Sequence, residues 1–185
     1  MDIKILYSDV VLDILAFLAD NDGKEDAALL KDIVSGTKHS RKGVYNSLQV
    51  MEKQKLIKQR KIGRSKLYYL NTVNPFVRQF KVLKTVSELN RFVELICTLA
   101  GKIIIFGSAS RGEEIITSDI DIAVIASKEM HEEISEKASK VKTKKKLSIQ
   151  MFSSFEFEEL KSKDPVYHSE IDRGIILWEE MNEGI

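Results

Sequence analysis

The sequence predicts two domains of different classes, an N-terminal α+β module of helices closed by a β-hairpin and a C-terminal α/β domain. Three helical patterns and a hairpin signal fill residues 1–72, whereas strand-like apolar runs alternate with helical patterns over 101–185. Residues 73–100 are predicted to form a connecting helix. With 185 residues, of which 43% are hydrophobic and 31% charged, the chain is long enough for two small cores.

The first two helical patterns lie within residues 8–40. The first begins at an N-cap, Ser8 or Asp9, and repeats aliphatic residues at helical spacing up to the turn signal "NDG". The second covers "KEDAALLKDIVSGTKHS", where Gly36 is the expected stop. Both patterns predict short amphipathic helices that share one small core.

A third helix and a hairpin carry most of the positive charge. Ser40 is the predicted N-cap of "RKGVYNSLQVMEK", and two strand-like runs follow on either side of Ile62-Gly63-Arg64. Residues 38–68 contain ten Lys and Arg against one acid, a net charge of +9, while the whole chain carries +1. This concentration predicts a local anionic partner.

The order of helix, helix, helix and hairpin over residues 8–71 resembles a winged helix-turn-helix. The resemblance implies that the N-terminal end of the third helix reads double-stranded DNA and that the hairpin meets the phosphate backbone as a wing. A solvated basic face used for protein contacts is the alternative. The side chains expected at DNA are Ser40, Arg41, Lys42, Tyr45 and Asn46 on the helix, and Arg60, Lys61, Arg64 and Lys66 around the hairpin tip.

The connecting segment is predicted as one long helix, with Pro75 in its first turn and Gly101 beyond its end. Its aliphatic stripe recurs at spacings of four and three. We expect most of the stripe to pack on the second domain of the same chain, and a coiled seam in a homodimer is the alternative. A homodimer stays an expectation because winged-helix regulators usually bind two half-sites.

The second half places two carboxylates beside a glycine turn. Gly107 and Ser108 follow the predicted strand "KIIIF", and Asp119 and Asp121 lie on the next one, "SDIDIAVIA". Because residues two apart on a strand share a face, these carboxylates are expected side by side, where they repel unless a cation lies between them. Mg²⁺ uses such oxygens together with substrate phosphates, and glycine lets the backbone approach a phosphate closely.

The pattern of Gly-Ser, ten residues and Asp-Ile-Asp resembles the DNA polymerase β-like nucleotidyltransferase superfamily, including the minimal forms that act as antitoxins by adenylylating a partner toxin. The resemblance covers roughly residues 100–178. It implies a mixed sheet with flanking helices and transfer of a nucleoside monophosphate from an NTP to a hydroxyl group. The residues it assigns to nucleotide binding are Gly107, Ser108, Arg111 and Ser118, and those it assigns to catalysis and to Mg²⁺ or Mn²⁺ are Asp119 and Asp121.

One part of the family pattern is absent. The family usually has a third carboxylate on a later strand, which here is "KLSIQMF" and offers Ser148 and Gln150 on one face. We expect Gln150 to take the place of the acid. Neither side chain can act as a base near pH 7. Glu113 and Glu114, in the turn, are interpreted as solvated charges rather than substitutes, and Arg111 fits an exposed turn residue equally well.

Three functions are compatible with these sequence patterns. The first is a DNA-binding transcriptional regulator that binds Mg-NTP with weak or absent catalysis. The second is an active nucleotidyltransferase that modifies a protein such as a toxin, or a small-molecule hydroxyl, under autoregulation by its winged helix. The third is an assembly role for both modules. Absence of a membrane-length apolar run and of a signal-peptide pattern, together with the single Cys97, predicts a cytoplasmic protein.

Overall fold

The computed structural model describes residues 3–23 and 28–180. It divides into two compact units. The first comprises the described residues up to Lys81 together with residues 115–117, and the second comprises the others from Val82 onward. The two units divide between Lys81 and Val82, inside the connecting helix expected from the sequence. The domain boundaries at 1–72, 73–100 and 101–185 stay a prediction.

The first unit has the element order of a winged helix-turn-helix. After a short 3₁₀ helix at Ile3–Tyr7, its elements are α1 (Asp9–Asp20), β1 (Ala28–Leu29), α2 (Leu30–Thr37), α3 (Arg41–Lys53), β2 (Ile57–Ile62) and β3 (Ser65–Leu70). The strands form an antiparallel sheet in the order β1-β3-β2. The three helices and the hairpin confirm the fold expected from sequence, and β1 is an addition to it.

The core of the first unit fixes how α1 and α2 pack. The fully buried Ile14 and Leu15 of α1 lie in one apolar cluster with Ile33 of α2. Contrary to the prediction, Gly36 does not end α2, because the helix continues to Thr37. A Cβ atom on Gly36 would stand 2.2 Å from the ring of Phe17, so the glycine allows close approach of the two helices.

The second unit is built on a four-stranded mixed sheet. After α4 (Pro75–Ile96), the elements are β4 (Lys102–Phe106), α5 (Gly107–Ser110), β5 (Ile120–Ile125), a 3₁₀ turn (Lys128–Met130), α6 (His131–Ser139), β6 (Leu147–Phe152), α7 (Ser154–Lys163), α8 (Pro165–Asp172) and β7 (Ile175–Glu179). The strand order is β6-β5-β4-β7. The β5–β6 pair is parallel and the other two are antiparallel, which confirms the predicted mixed sheet with flanking helices.

The two faces of this sheet carry separate apolar clusters, because successive strand residues point to opposite sides. On one face, Ile120, Ile122 and Val124 of β5 pack with Leu89 and Ile96 of α4. Much of the aliphatic stripe of α4 is therefore occupied within this unit, in line with the interpretation preferred from sequence. The opposite face includes residues from β4, β5, α7 and α8.

In the described part of the chain, no helix combines the length and the apolar character that a membrane span requires.

Candidate functional site

Gly107 and Asp121 meet where β4 ends. Phe106, the last residue of β4, lies opposite Asp121 in the antiparallel ladder, and Gly107 follows with a φ of +67°. A Cβ atom on Gly107 would stand 2.7 Å from Oδ2 of Asp121. Glycine alone combines this left-handed backbone with so close an approach. The Gly-Ser turn and the second Asp of the motif are thus brought together by strand pairing.

Asp119 lies one residue before β5 begins rather than on the strand as predicted. Its side chain is 44% exposed, and its Oδ2 lies 3.8 Å from Nζ of Lys146. The amide of Ile120 donates a 2.9 Å hydrogen bond to the carbonyl of Lys146, which ties the start of β5 to the segment before β6. A lysine charge therefore accompanies the first carboxylate of the motif.

The neighbour of Asp121 on β6 is Ser148 and not Gln150. In the parallel register, Asp121 pairs with Ser148, whereas Gln150 pairs with Ala123, one step further along the same face. This register favours Ser148 over Gln150 as the position that the missing acid would take, against the preference drawn from the sequence. A hydroxyl group stands beside the second carboxylate, and it stays neutral at neutral pH.

The remaining residues assigned to nucleotide binding surround the turn. The carbonyl of Ser108 accepts hydrogen bonds from the amides of Arg111 and Glu113, at 3.2 and 2.9 Å. Arg111 donates through Nε to Glu113 at 3.0 Å, and its guanidinium lies 3.7 Å from Glu170. Its charge is therefore shared with two carboxylates. Ser118, just before the first Asp, is half-buried.

Glu114 is not the solvated charge that its place in the turn suggested. It is buried, with 4% of its surface exposed, and Thr85 of α4, itself 4% exposed, lies within hydrogen-bond distance of its Oε1 at 3.4 Å. Nζ of Lys145 lies 3.8 Å from the same oxygen. Glu113, in contrast, is exposed as predicted. A buried carboxylate with a lysine and a hydroxyl as neighbours anchors the loop that connects α5 to β5.

Tyr167 of α8 is a neighbour of the site that the sequence did not reveal. Its ring packs edge-on against Phe106 at a centroid distance of 5.9 Å. Burial raises the pKa of its phenol, and the negative charges of Asp121, Glu170 and Asp164 raise it further. The phenol therefore keeps its proton at neutral pH and remains a hydrogen-bond donor. Nothing in the local sequence around Tyr167 signals this position.

The donor set limits which metal the site can hold. Within residues 3–23 and 28–180, no group of three or more His, Cys, Asp and Glu side chains is arranged to bind a metal by itself. Mg²⁺ is usually held by one or two carboxylates and completes its shell with water and substrate phosphates. The two Asp of the motif, with the cradle that a Cβ on Gly107 would fill, fit an ion that arrives with a triphosphate.

The basic surface of the first unit is exposed as expected. Ser40 caps α3, because its Oγ accepts a 3.1 Å hydrogen bond from the amide of Gly43. The hairpin turns at Gly63-Arg64, where Gly63 has a φ of +57°. No salt bridge within the described residues engages any of the six predicted cationic contacts. The exposed side chains predicted to contact DNA are Ser40, Arg41, Lys42, Tyr45, Asn46, Arg60, Lys61, Arg64 and Lys66.

The second unit matches a known family. Residues 99–183 match the family described as Polymerase beta, Nucleotidyltransferase. This segment is slightly less than half of the chain and lies, apart from residues 115–117, in the second unit. The C-terminal unit is therefore a nucleotidyltransferase domain of the polymerase β type, in agreement with the resemblance of its sequence motif to that superfamily.

No curated protein matches the chain. Among solved structures, a match is the solution NMR structure of a homodimeric winged helix-turn-helix DNA-binding domain from Mycobacterium bovis, described as a possible ArsR-family transcriptional regulator. The two sequences are 22% identical, and the match covers 47% of this chain and 75% of the Mycobacterium bovis chain, with a TM-score of 0.37. The winged-helix fold of the first unit is assigned from its own helix order and strand pairing.

Proposed function

We propose that this chain, a winged helix joined to a polymerase β-type nucleotidyltransferase domain, is a DNA-binding transcriptional regulator whose C-terminal unit binds Mg-NTP with weak or absent transfer. The close approach of Asp121 to Gly107 supports nucleotide binding, because it keeps the carboxylate next to a turn that a phosphate can reach. The hydroxyl of Ser148 supports weak transfer, because a neutral group rather than a carboxylate stands at the β6 position beside Asp121.

The residues of the chain have separate tasks in this proposal. Asp119 and Asp121 supply the oxygens for Mg²⁺ or Mn²⁺, which when bound would neutralise phosphate charge and support displacement at the α-phosphorus. Gly107 and Ser108 hold the phosphates through backbone amides and a hydroxyl. Ser148 cannot take a proton from the attacking hydroxyl at neutral pH, so transfer would depend on a base supplied by the acceptor.

Other side chains assist the two phosphate-binding residues. Arg111 and Ser118 complete the nucleotide contacts, and Arg111 exchanges its present carboxylate neighbours for phosphate oxygens. Tyr167 keeps its proton and is available as a neutral donor near Asp121. Lys146 offsets part of the negative charge of Asp119 while no metal is bound.

The first unit supplies DNA binding in the same proposal. The N-terminal end of α3 enters the major groove and the β2–β3 hairpin contacts the backbone, as in other winged helices. Ten bases against one acid in residues 38–68 support this assignment. A cytoplasmic homodimer that binds two half-sites completes the proposal.

A second candidate is an active nucleotidyltransferase that modifies a protein such as a toxin, or a small-molecule hydroxyl, with the winged helix controlling its own operon. The presence of Gly107, Ser108, Asp119 and Asp121 favours it, because the resemblance of the motif assigns these residues to nucleotide binding and catalysis.

Labelled ATP separates the two candidates. The full chain is incubated with Mg²⁺ or Mn²⁺ and ATP labelled at the α-phosphate, alone and with lysate, beside Asp119→Asn. Saturable binding without transfer supports the regulator. Label on an acceptor that disappears in the variant supports the enzyme. If the chain binds no nucleotide and does not shift duplex DNA, both candidates are wrong and the assembly role remains.

A further inference from the structure

The second unit contains a lysine-rich cavity of which the proposed function uses only Lys146. It has a volume of about 780 Å³ and lies between α6, β6 and the segment that joins them. Four lysines line it, Lys142 and the run Lys144, Lys145 and Lys146, and none of its described lining residues is acidic. Its floor includes the aliphatic side chains of Val141, Ile149 and Met151. The combination is a basic rim above an apolar floor.

The lysines differ in their surroundings. Lys145 is 15% exposed and lies beside the buried Glu114, so it contributes to the loop anchor as well as to the cavity wall. Lys146 lies beside Asp119 and connects the cavity to the proposed metal site. Lys142 and Lys144 are exposed at the rim. Glu136 of α6 lies 2.7 Å from Lys140, the residue that follows the helix, so its charge is offset by that lysine.

We propose that this cavity, here called the lysine cavity, binds an acidic and aliphatic segment of a partner protein. Several ammonium groups around one opening complement several carboxylates, which favours an acidic chain. An aliphatic floor favours a ligand that also buries apolar side chains. None of the described lining residues is aromatic, so a base would have no ring on which to stack, and this disfavours single-stranded nucleic acid.

This inference goes beyond the proposed function and needs no catalysis. It depends only on the fold of the second unit, so it survives if the chain neither transfers nucleotides nor binds DNA. Where transfer does occur, the inference identifies the acceptor class, because Lys146 places the lysine cavity next to Asp119. A segment docked in the cavity would then bring its own protein to the two carboxylates.

The test is fluorescence anisotropy with the full chain and a labelled amphipathic peptide of Glu and Leu. We expect saturable binding that weakens with salt, and a loss of about tenfold in affinity for the double variant Lys142→Glu/Lys144→Glu, because two favourable charges become repulsive. A peptide of equal charge with Ser in place of Leu should bind more weakly than the original. The matched control is Lys161→Glu/Lys163→Glu on α7, which should leave affinity within about twofold.

Four results would overturn the proposal. They are unchanged affinity in the double variant, equal binding of the Ser peptide, tighter binding of a single-stranded oligonucleotide that the double variant loses, and displacement of the peptide by Mg-ATP. Circular dichroism of both double variants checks their folding. DNA binding and Mg-ATP binding, measured on the same proteins, should stay unchanged, which distinguishes failure of this inference from failure of the proposed function.

Discussion

Oδ2 of Asp121 lies 2.7 Å from the position that a Cβ atom on Gly107 would occupy. The glycine also has a φ of +67°, a backbone angle that residues with a side chain rarely adopt. Two independent constraints therefore exclude a larger residue at the turn that follows β4. Because strand pairing already places Asp121 beside this turn, the glycine and the carboxylate form one structural unit on which the proposed nucleotide site depends.

Substitution of this glycine should affect both stability and ligand binding. In Gly107→Ala, the left-handed backbone alone costs about 1–2 kcal/mol, and the methyl group also displaces the carboxylate of Asp121. We expect a lower free energy of unfolding in urea and loss of Mg-ATP binding. Gly101→Ala is the matched control, because its nearest neighbour would be the carbonyl of Ile125 at 3.7 Å, an ordinary contact. Equal behaviour of the two variants would contradict the proposed role of Gly107.

A carboxylate at position 148 should raise any transfer rate. Ser148→Asp places an acid beside Asp121 in the parallel register, where it can complete the metal shell and accept a proton. We expect an increase of roughly tenfold or more in label transfer from α-labelled ATP. Gln150→Asp is the control, because this position pairs with Ala123 instead. A larger increase in the control would show that the register argument is wrong.

The wing should contribute phosphate contacts rather than sequence preference. Arg60→Ala/Arg64→Ala removes two exposed cations, so the slope of log affinity against log salt concentration should fall by about 2 for any duplex. Gel shifts at several salt concentrations measure this slope. The control is Lys53→Ala, in the last turn of α3 and at the opposite end of that helix from Arg41 and Lys42. A slope that is unchanged in the arginine variant would remove the wing from the interface.

The N-terminal end of α7 should make the stability of the second unit depend on pH in the acid range. The hydrogen bond from Lys128, and further bonds from the amide and hydroxyl of Ser153, lower the pKa of Glu156 from 4.5 to about 2. Because the folded pKa is the lower one, this stabilisation is present above pH 4.5 and is lost as the pH falls toward 2. Glu156→Gln should therefore unfold in less urea than the wild type at pH 7, with a smaller difference near pH 3.

The control for this prediction is Glu132→Gln, an exposed residue of α6. It should leave the urea midpoint unchanged at both pH values. A difference between wild type and Glu156→Gln that stays constant with pH would mean that the charge of Glu156 contributes no stability to the cap.

Sequence patterns predicted the strands and helices well because each repeats its own apolar period. They did not predict the offset between β5 and β6, since alternation assigns residues to a face but does not fix which of them are neighbours across strands. Ser148 was therefore passed over for Gln150. Burial of Glu114 was missed for a related reason, because Thr85 and Lys145 are its neighbours in space and distant in sequence. The two residues of β1 are too few to show a period.

The most direct test of the central claim is isothermal titration calorimetry of ATP with the full chain, with Mg²⁺ and with excess EDTA. We predict saturable binding that requires Mg²⁺ and weakens at least about tenfold in Asp121→Asn, since a charged ligand to the ion is lost. Asp172→Asn, an exposed residue at the end of α8, should bind as the wild type does. Binding that is indifferent to Mg²⁺, or equal in Asp121→Asn and the wild type, would contradict the claim that these carboxylates hold a metal-bound triphosphate.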